Sequence, residues 1–77
     1  MNAIIYEDPS LSTCITSVRN LKEAGITITE IDVARNTSIK KPYKLPMIEF
    51  YKDGKLIERH YGVIDIYKVK HIINVYK

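Results

Sequence analysis

The sequence predicts one small α/β domain spanning residues 1–77, with four strands flanked by helices. Short runs rich in apolar and β-branched residues indicate strands, and apolar residues at helical spacing indicate a helix between the first two of them. The pair Asp53-Gly54 separates two further strand-like runs and is typical of a two-residue hairpin. A chain of 77 residues has no room for a second core, so we expect a single domain.

The first half of the chain predicts a strand, a helix and a second strand. Residues 2–6 form a short apolar run, and residues 26–33 form a second run that is rich in β-branched side chains. Between them we expect a helix that is capped by Ser12 or Thr13 and ends at Gly25. Because a helix connects the two strands, they should be parallel. The apolar stripe of this helix is Cys14, Val18, Leu21 and Ala24.

The second half predicts a hairpin and a final helix. Residues 34–45 are polar and rich in lysine, and we predict one short helix over residues 37–41 that is ended by Pro42. Residues 47–52 and 55–61 are the strands of the hairpin, and the whole order is βαβαββα. Asp65 is the predicted cap of the last helix. The apolar face of that helix is Ile66, Val69, Ile72, Ile73 and Tyr76.

Composition and charge exclude several classes of protein. A hydrophobic content of 45% with 27% charged residues is typical of soluble globular proteins, and no apolar run is long enough to span a membrane. The start of the chain is no signal peptide, and its single cysteine cannot form an internal disulfide, so we expect a cytoplasmic protein. His60 and His71 lack further ligands at metal spacing, so we expect no metal. The net charge of +3 is low for a nucleic-acid-binding protein, although Lys40, Lys41 and Lys44 form a basic cluster.

Two segments carry a resemblance to a known family. Residues 6–14 read Tyr-Glu-Asp-Pro-Ser-Leu-Ser-Thr-Cys, and residues 45–55 read Leu-Pro-Met-Ile-Glu-Phe-Tyr-Lys-Asp-Gly-Lys before a return strand that ends at Gly62. The chain resembles the thioredoxin/glutaredoxin family over nearly its whole length. Its first half is similar to the small glutaredoxin-like hydrogen donors of ribonucleotide reductase, and its second half is similar to thioredoxin.

This resemblance implies a fold, an activity and a substrate groove. The implied fold is a minimal thioredoxin fold with a four-stranded mixed sheet in the order 2-1-3-4. The first and last helices would pack on one face of the sheet and the short middle helix on the other. The family activity is thiol–disulfide exchange, with electrons from a reductase or glutathione. Pro46 matches the family's cis-proline, which faces the cysteines and offers backbone groups to a bound chain.

The place of Cys14 in the family's Cys-x-x-Cys motif decides which chemistry the resemblance implies. By its spacing from Tyr6 and Gly25, Cys14 corresponds to the second, resolving cysteine, and Leu11 occupies the position of the nucleophile. Reduction of a disulfide by a protein dithiol needs two sulfur atoms, so we expect that this activity is lost. Cys14 also belongs to the apolar stripe, which predicts a buried thiol with a raised pKa. The motif-equivalent residues are Leu11, Ser12, Thr13 and Cys14.

Cys14 also fits a second alignment, or register, with the motifs of this family. Cys14-Ile15-Thr16-Ser17 fits the Cys-x-x-Ser motif of monothiol glutaredoxins, in which the cysteine is the catalytic nucleophile. In that register Cys14 would lie at the helix N-terminus with a lowered pKa and would react with glutathione or a partner thiol. Gly62 and Asp65 match two positions of the family's Gly-Gly-x-x-Asp glutathione segment, but Tyr61 replaces the first glycine. We therefore expect no cofactor, and glutathione belongs only to this alternative.

The leading hypothesis is a binding protein that has kept the fold and lost the dithiol chemistry. It would hold a protein partner or an extended peptide between residues 10–14 and Pro46, with Leu11 as an apolar contact in place of a thiol. We expect a monomer that acts as an accessory factor, such as a phage protein that engages a host protein. A weak nucleic-acid binder that uses the lysine-rich segment is a third alternative. The predicted groove residues are Pro9, Leu45, Pro46, Gly62 and Asp65.

Overall fold

Four strands and two helices make up the fold in the computed structural model, which describes residues 1–77. The strands form one sheet in the order β2-β1-β3-β4, which confirms the predicted order. β1 is parallel to β2, whereas the other neighbouring strands are antiparallel, so the sheet is mixed. Neither helix is long and apolar enough to cross a membrane. The elements are β1 (Asn2–Glu7), α1 (Ser12–Glu23), β2 (Thr27–Asp32), β3 (Met47–Lys52), β4 (Lys55–Tyr61) and α2 (Ile66–Val75).

The middle helix predicted over residues 37–41 is absent, so this prediction is wrong. Residues 33–46 run as turns and bends, and the observed order is βαβββα rather than βαβαββα. Polar side chains bond to nearby groups here: Asp32 Oδ1 accepts the backbone N–H of Ala34 at 3.0 Å, and the Ser38 hydroxyl donates to Asn36 Oδ1 at 2.7 Å. Such local bonds compete with helix formation, and the segment has no apolar stripe that packing could stabilise.

Both helices pack on one face of the sheet, as predicted. Ala3 and Ile5 of β1 are fully buried beneath them, whereas the alternate residues Ile4 and Tyr6 are only half-buried. This single-sided core follows from the two-residue period of the strands and the apolar stripes of the helices. The buried core residues are Ala3, Ile5, Leu21, Ile26, Ile48, Phe50, Ile64, Val69 and Ile72.

The opposite face of the sheet has no helix over it. Met47 lies beside Tyr61, and Glu49 lies beside Arg59, so these side chains share the open face. The residue Glu49 is only 7% exposed. Its carboxylate accepts two hydrogen bonds from Arg59, at 2.8 and 3.2 Å, and one from the Tyr51 hydroxyl at 3.2 Å. This polar network satisfies Glu49 on the face that the predicted helix would have covered.

Two side chains of α1 hold the loop that leads into α2. Ser17 is fully buried; its hydroxyl donates to the Thr13 carbonyl oxygen at 2.8 Å and accepts the backbone N–H of Ile64 at 3.0 Å. The Asn20 side-chain amide donates to the Ile64 carbonyl oxygen at 2.9 Å. Both backbone groups of Ile64 are therefore paired with α1, which fixes the loop after β4 against this helix.

The predicted ends of the helices are confirmed at two positions. Gly25 follows α1 with a φ of +83°, a left-handed conformation that glycine adopts without steric cost. Asp65 precedes α2, and its carboxylate accepts the backbone N–H of Lys68 at 2.8 Å.

Candidate functional site

Leu11 lies immediately before α1 and is the N-cap residue of that helix. Its backbone is extended, with φ −86° and ψ 130°, and its carbonyl oxygen accepts the backbone N–H groups of Cys14 and Ile15, both at 3.1 Å. The predicted cap by Ser12 or Thr13 is therefore wrong, since the helix already includes both residues and has no side-chain cap. Leu11 is 41% exposed and presents an apolar side chain at the start of the helix.

The turn before Leu11 is held by Asp8. The Asp8 carboxylate accepts two hydrogen bonds from Ser10, at 2.7 Å from the hydroxyl and 3.0 Å from the backbone N–H. These bonds lower the pKa of the Asp8 carboxyl below its ordinary value. The Leu11 backbone N–H donates to the Asp8 carbonyl oxygen at 3.0 Å. Pro9 is exposed at the tip of this turn. The turn places Leu11, rather than Ser12 or Thr13, at the N-cap of α1 and fixes its position.

Cys14 is the third residue of α1 and has no solvent-exposed surface. Burial raises the pKa of its thiol, and the nearby charge of Glu7 raises it further. A buried thiol with a raised pKa has little thiolate at neutral pH, and the thiolate is the form that attacks disulfides. The raised pKa is the opposite of the lowered pKa that the monothiol register predicts.

Glu7 is a buried carboxylate that is not among the predicted site residues. It ends β1, is only 4% exposed, and has a pKa raised to about 7 by its burial and by the hydrogen bond and charge of Glu30, with Asp32 adding to the effect. The signal that could have found it is the alternation of β1, which places residue 7 on the same buried face as Ala3 and Ile5. Glu7 thus places a second titratable group near the Cys14 thiol.

Pro46 lies at the same end of the sheet as the turn before α1. Tyr6 pairs with Met47, so Pro46, the residue before Met47, lies at the end where β1 leads to Leu11. The Leu45-Pro46 peptide bond is cis, the Pro46 side chain is buried, and its carbonyl oxygen accepts the backbone N–H of Gly62 at 2.8 Å.

The backbone conformation of Gly62 favours glycine at its position, and the Lys44 side chain lies close to it. Its φ is +89°, and a Cβ atom there would lie 3.1 Å from Cε of Lys44, whose side chain runs across it. Leu45 is half-buried beside this contact, whereas Asp65 is exposed and its carboxylate is engaged as the cap of α2. No three side chains of His, Cys, Asp or Glu come together in a set that could hold a metal ion.

Comparison with known proteins bears on the fold. No protein-family model and no curated protein matches the sequence. The structure of thioredoxin-2, a component of the malaria parasite protein secretion machinery, superimposes with a TM-score of 0.74 at 14% identity, over 95% of this chain and 80% of that one. Thioredoxin 1 from Thermosipho africanus TCF52B gives a TM-score of 0.72 at 21% identity, over 99% and 93% of the two chains.

A third thioredoxin, from Fasciola hepatica, gives a TM-score of 0.66 at 21% identity, over 99% of this chain and 82% of that one. All three are similar in architecture along nearly the whole of this chain, although few residues are identical. The sheet order, the two helices on one face and these neighbours together show that this chain has the thioredoxin fold.

Proposed function

We propose that this chain is a thioredoxin-fold binding protein that does not carry out dithiol exchange, and that it holds a protein partner or an extended peptide in the groove beside Pro46. The observation that carries the proposal is the complete burial of Cys14, the only cysteine of the chain. Thioredoxins work by thiol–disulfide exchange with two sulfur atoms, and this chain supplies only one of them.

The first step of dithiol exchange is the attack of an exposed thiolate on the substrate disulfide, and the second is the release of the product by another sulfur. Cys14 corresponds to the sulfur of the second step, and its burial and raised thiol pKa disfavour it as a substitute for the attacking thiolate of the first step. Leu11 occupies the exposed position of the nucleophile, three residues earlier, and has no sulfur, so the first step has no attacking thiolate from that position.

The surroundings of Leu11 support a binding role. The Asp8 turn holds Leu11 in one backbone conformation, so little conformational freedom is lost when a partner binds. An exposed leucine beside exposed Pro9 offers an apolar contact at the place where the family attacks its substrates. Buried Pro46 and half-buried Leu45 lie at the same end of the sheet and would form the other side of the proposed groove.

The proposal also includes the subfamily, the cellular location, the oligomeric state and the role of the protein. The glutaredoxin-like first half, with one cysteine of the pair lost, would make this a degenerate member of the hydrogen-donor type. A single free cysteine is suited to the reducing cytoplasm, where we place the protein. We expect the chain to act as a monomer, as an accessory factor such as a phage protein that engages a host protein.

The test is to supply the missing sulfur. We expect the wild-type protein to be inactive in insulin reduction with dithiothreitol as the electron source, and the variant Leu11→Cys to be active. The matched control is Ile15→Cys, which adds an exposed thiol on the same helix outside the motif position. Insulin reduction by the wild-type protein would overturn the proposal and favour the monothiol alternative. A folded but inactive Leu11→Cys variant would show that Leu11 does not hold the position of the nucleophile.

A further inference from the structure

A cavity of about 450 Å³ opens on the uncovered face of the sheet, beside Pro46. Tyr43 and Tyr61 form one wall, with ring centres 4.8 Å apart and planes tilted by 34°. Met47 of β3 adds an apolar contact, Arg59 lines the pocket from β4, and the loop after β2 supplies the rest. We call this cavity the basic tyrosine pocket; its lining residues are Lys40, Lys41, Pro42, Tyr43, Met47, Arg59 and Tyr61.

The basic tyrosine pocket has an excess of positive charge. Lys40 and Lys41 are exposed, and neither lies within ion-pair distance of a carboxylate. Arg59 is already paired with Glu49 at 2.8 Å, so that pair adds little net charge. Asp8 feels the charge of Lys41 without forming an ion pair with it. Two unpaired ammonium groups beside two aromatic rings favour an anionic ligand that also has an apolar or aromatic part.

The pocket is continuous with the groove of the proposed function. Met47 and Tyr61 line the pocket, and they directly adjoin Pro46 and Gly62, which are joined by a backbone hydrogen bond of 2.8 Å. The Lys44 side chain, which runs across Gly62, extends the positive charge along this boundary. A chain that lies in the groove therefore passes the opening of the pocket.

We propose that the partner segment is an acidic peptide, and that its carboxylates bind in the basic tyrosine pocket next to a tyrosine or another apolar side chain. This inference rests on the proposed function, because it names the chemistry of the chain that occupies the same groove. The pocket favours a peptide over a nucleic acid because binding of a nucleic acid depends on many phosphate contacts. Here the unpaired cations lie within one loop, and the carboxylate of Glu49 lies on the same face of the sheet.

The probe is a fluorescently labelled random copolymer of glutamate and tyrosine, and binding is measured by fluorescence anisotropy. We expect saturable binding that weakens as the salt concentration rises. The variant Lys40→Glu/Lys41→Glu should weaken binding about tenfold or more, since it reverses two charges within the pocket. The matched control Lys70→Glu/Lys77→Glu makes the same change of net charge at exposed lysines in or near α2 and should bind like the wild type.

A second pair of variants tests the aromatic wall. Tyr43 is 84% exposed and Tyr67 on α2 is 79% exposed, so neither is needed for the core. We expect Tyr43→Ala to weaken binding about threefold or more, whereas Tyr67→Ala leaves it unchanged.

Four results would overturn the inference. They are no binding of the copolymer, equal loss of affinity in both lysine variants, equal loss in both tyrosine variants, and tighter binding of a single-stranded oligothymidine of equal length than of the copolymer. The insulin assay of the wild-type protein and of Leu11→Cys does not depend on these affinities. Failure of the acidic-peptide inference is therefore distinguishable from failure of the proposed function.

Discussion

Replacing Glu7 by glutamine should remove a pH-dependent loss of stability that is built into this fold. In the folded protein the pKa of Glu7 is raised from 4.5 to about 7, chiefly by burial and then by the hydrogen bond and charge of Glu30. Because the folded state binds this proton more tightly than the unfolded state, Glu7 contributes stability below pH 4.5. That contribution is lost as the pH rises to about 7.

The magnitude follows from the size of the shift. A shift from 4.5 to about 7 corresponds to about 3 kcal/mol, which is an upper bound for the contribution of Glu7. We expect the wild-type protein to lose about 1–3 kcal/mol of unfolding free energy between pH 4.5 and 8 from this group. The variant Glu7→Gln has no proton to lose there, so its curve should lack this slope and lie above that of the wild type at pH 8.

The assay is urea unfolding followed by circular dichroism at several pH values between 4 and 8. Glu23→Gln is the matched control, because it removes an exposed carboxylate of α1 away from Glu7 and should keep the wild-type slope. A Glu7→Gln variant with the same pH-dependent loss as the wild type would refute the reasoning. So would a wild-type protein that is equally stable at pH 5 and pH 8.

Two hydrogen-bonded side chains give further predictions for the unfolding free energy. Ser17→Ala leaves the buried N–H of Ile64 without a partner and should cost about 1–3 kcal/mol in urea unfolding, whereas Ser12→Ala at an exposed position should change it by less than about 0.5 kcal/mol. If the two alanine variants are equally stable, the Ser17 bond is not structural. Arg59→Ala leaves the Glu49 carboxylate without its cation and should cost about 1–3 kcal/mol, and adding Glu49→Gln should restore most of the loss. A double variant as unstable as Arg59→Ala alone would contradict this account of the open face.

The fold was largely predictable because its local signals agree with each other. Asp53 and Gly54 have φ values of +52° and +78°, as a tight hairpin turn requires, and the strands on either side have the predicted limits. The apolar stripe of α1 also predicted the burial of Cys14. These features depend on residues that are close in the sequence, so a single sequence contains them.

The errors occurred where distant or competing contacts decide the structure. The segment at residues 37–41 has no apolar stripe, and the bonds made by Asp32 and Asn36 favour turns over a helix. The start of α1 is set by Asp8, four and five residues before the predicted caps, rather than by the hydroxyl residues themselves.

The two buried carboxylates were missed for a related reason. Both lie within strands, but alternation places Glu7 on the core face, whereas Glu49 is on the open face, where Tyr51 and Arg59 bond to it. Their partners, Glu30 on β2 and Arg59 on β4, become neighbours only through the register of the sheet. A single sequence does not specify that register, so the pKa of Glu7 and the network on the open face could not be predicted from it.

The most direct test of the central claim is the pH dependence of Cys14 alkylation in the native protein. Labelling by iodoacetamide, followed by mass spectrometry, should be slow at neutral pH, become fast on denaturation, and report an apparent thiol pKa above the value of about 8.5 for a free cysteine. An exposed thiol from Ile15→Cys in a Cys14→Ala background is the matched reference for fast labelling. Rapid labelling of native Cys14 with an apparent pKa below about 7.5 would contradict the account, because the thiol would then be an exposed nucleophile.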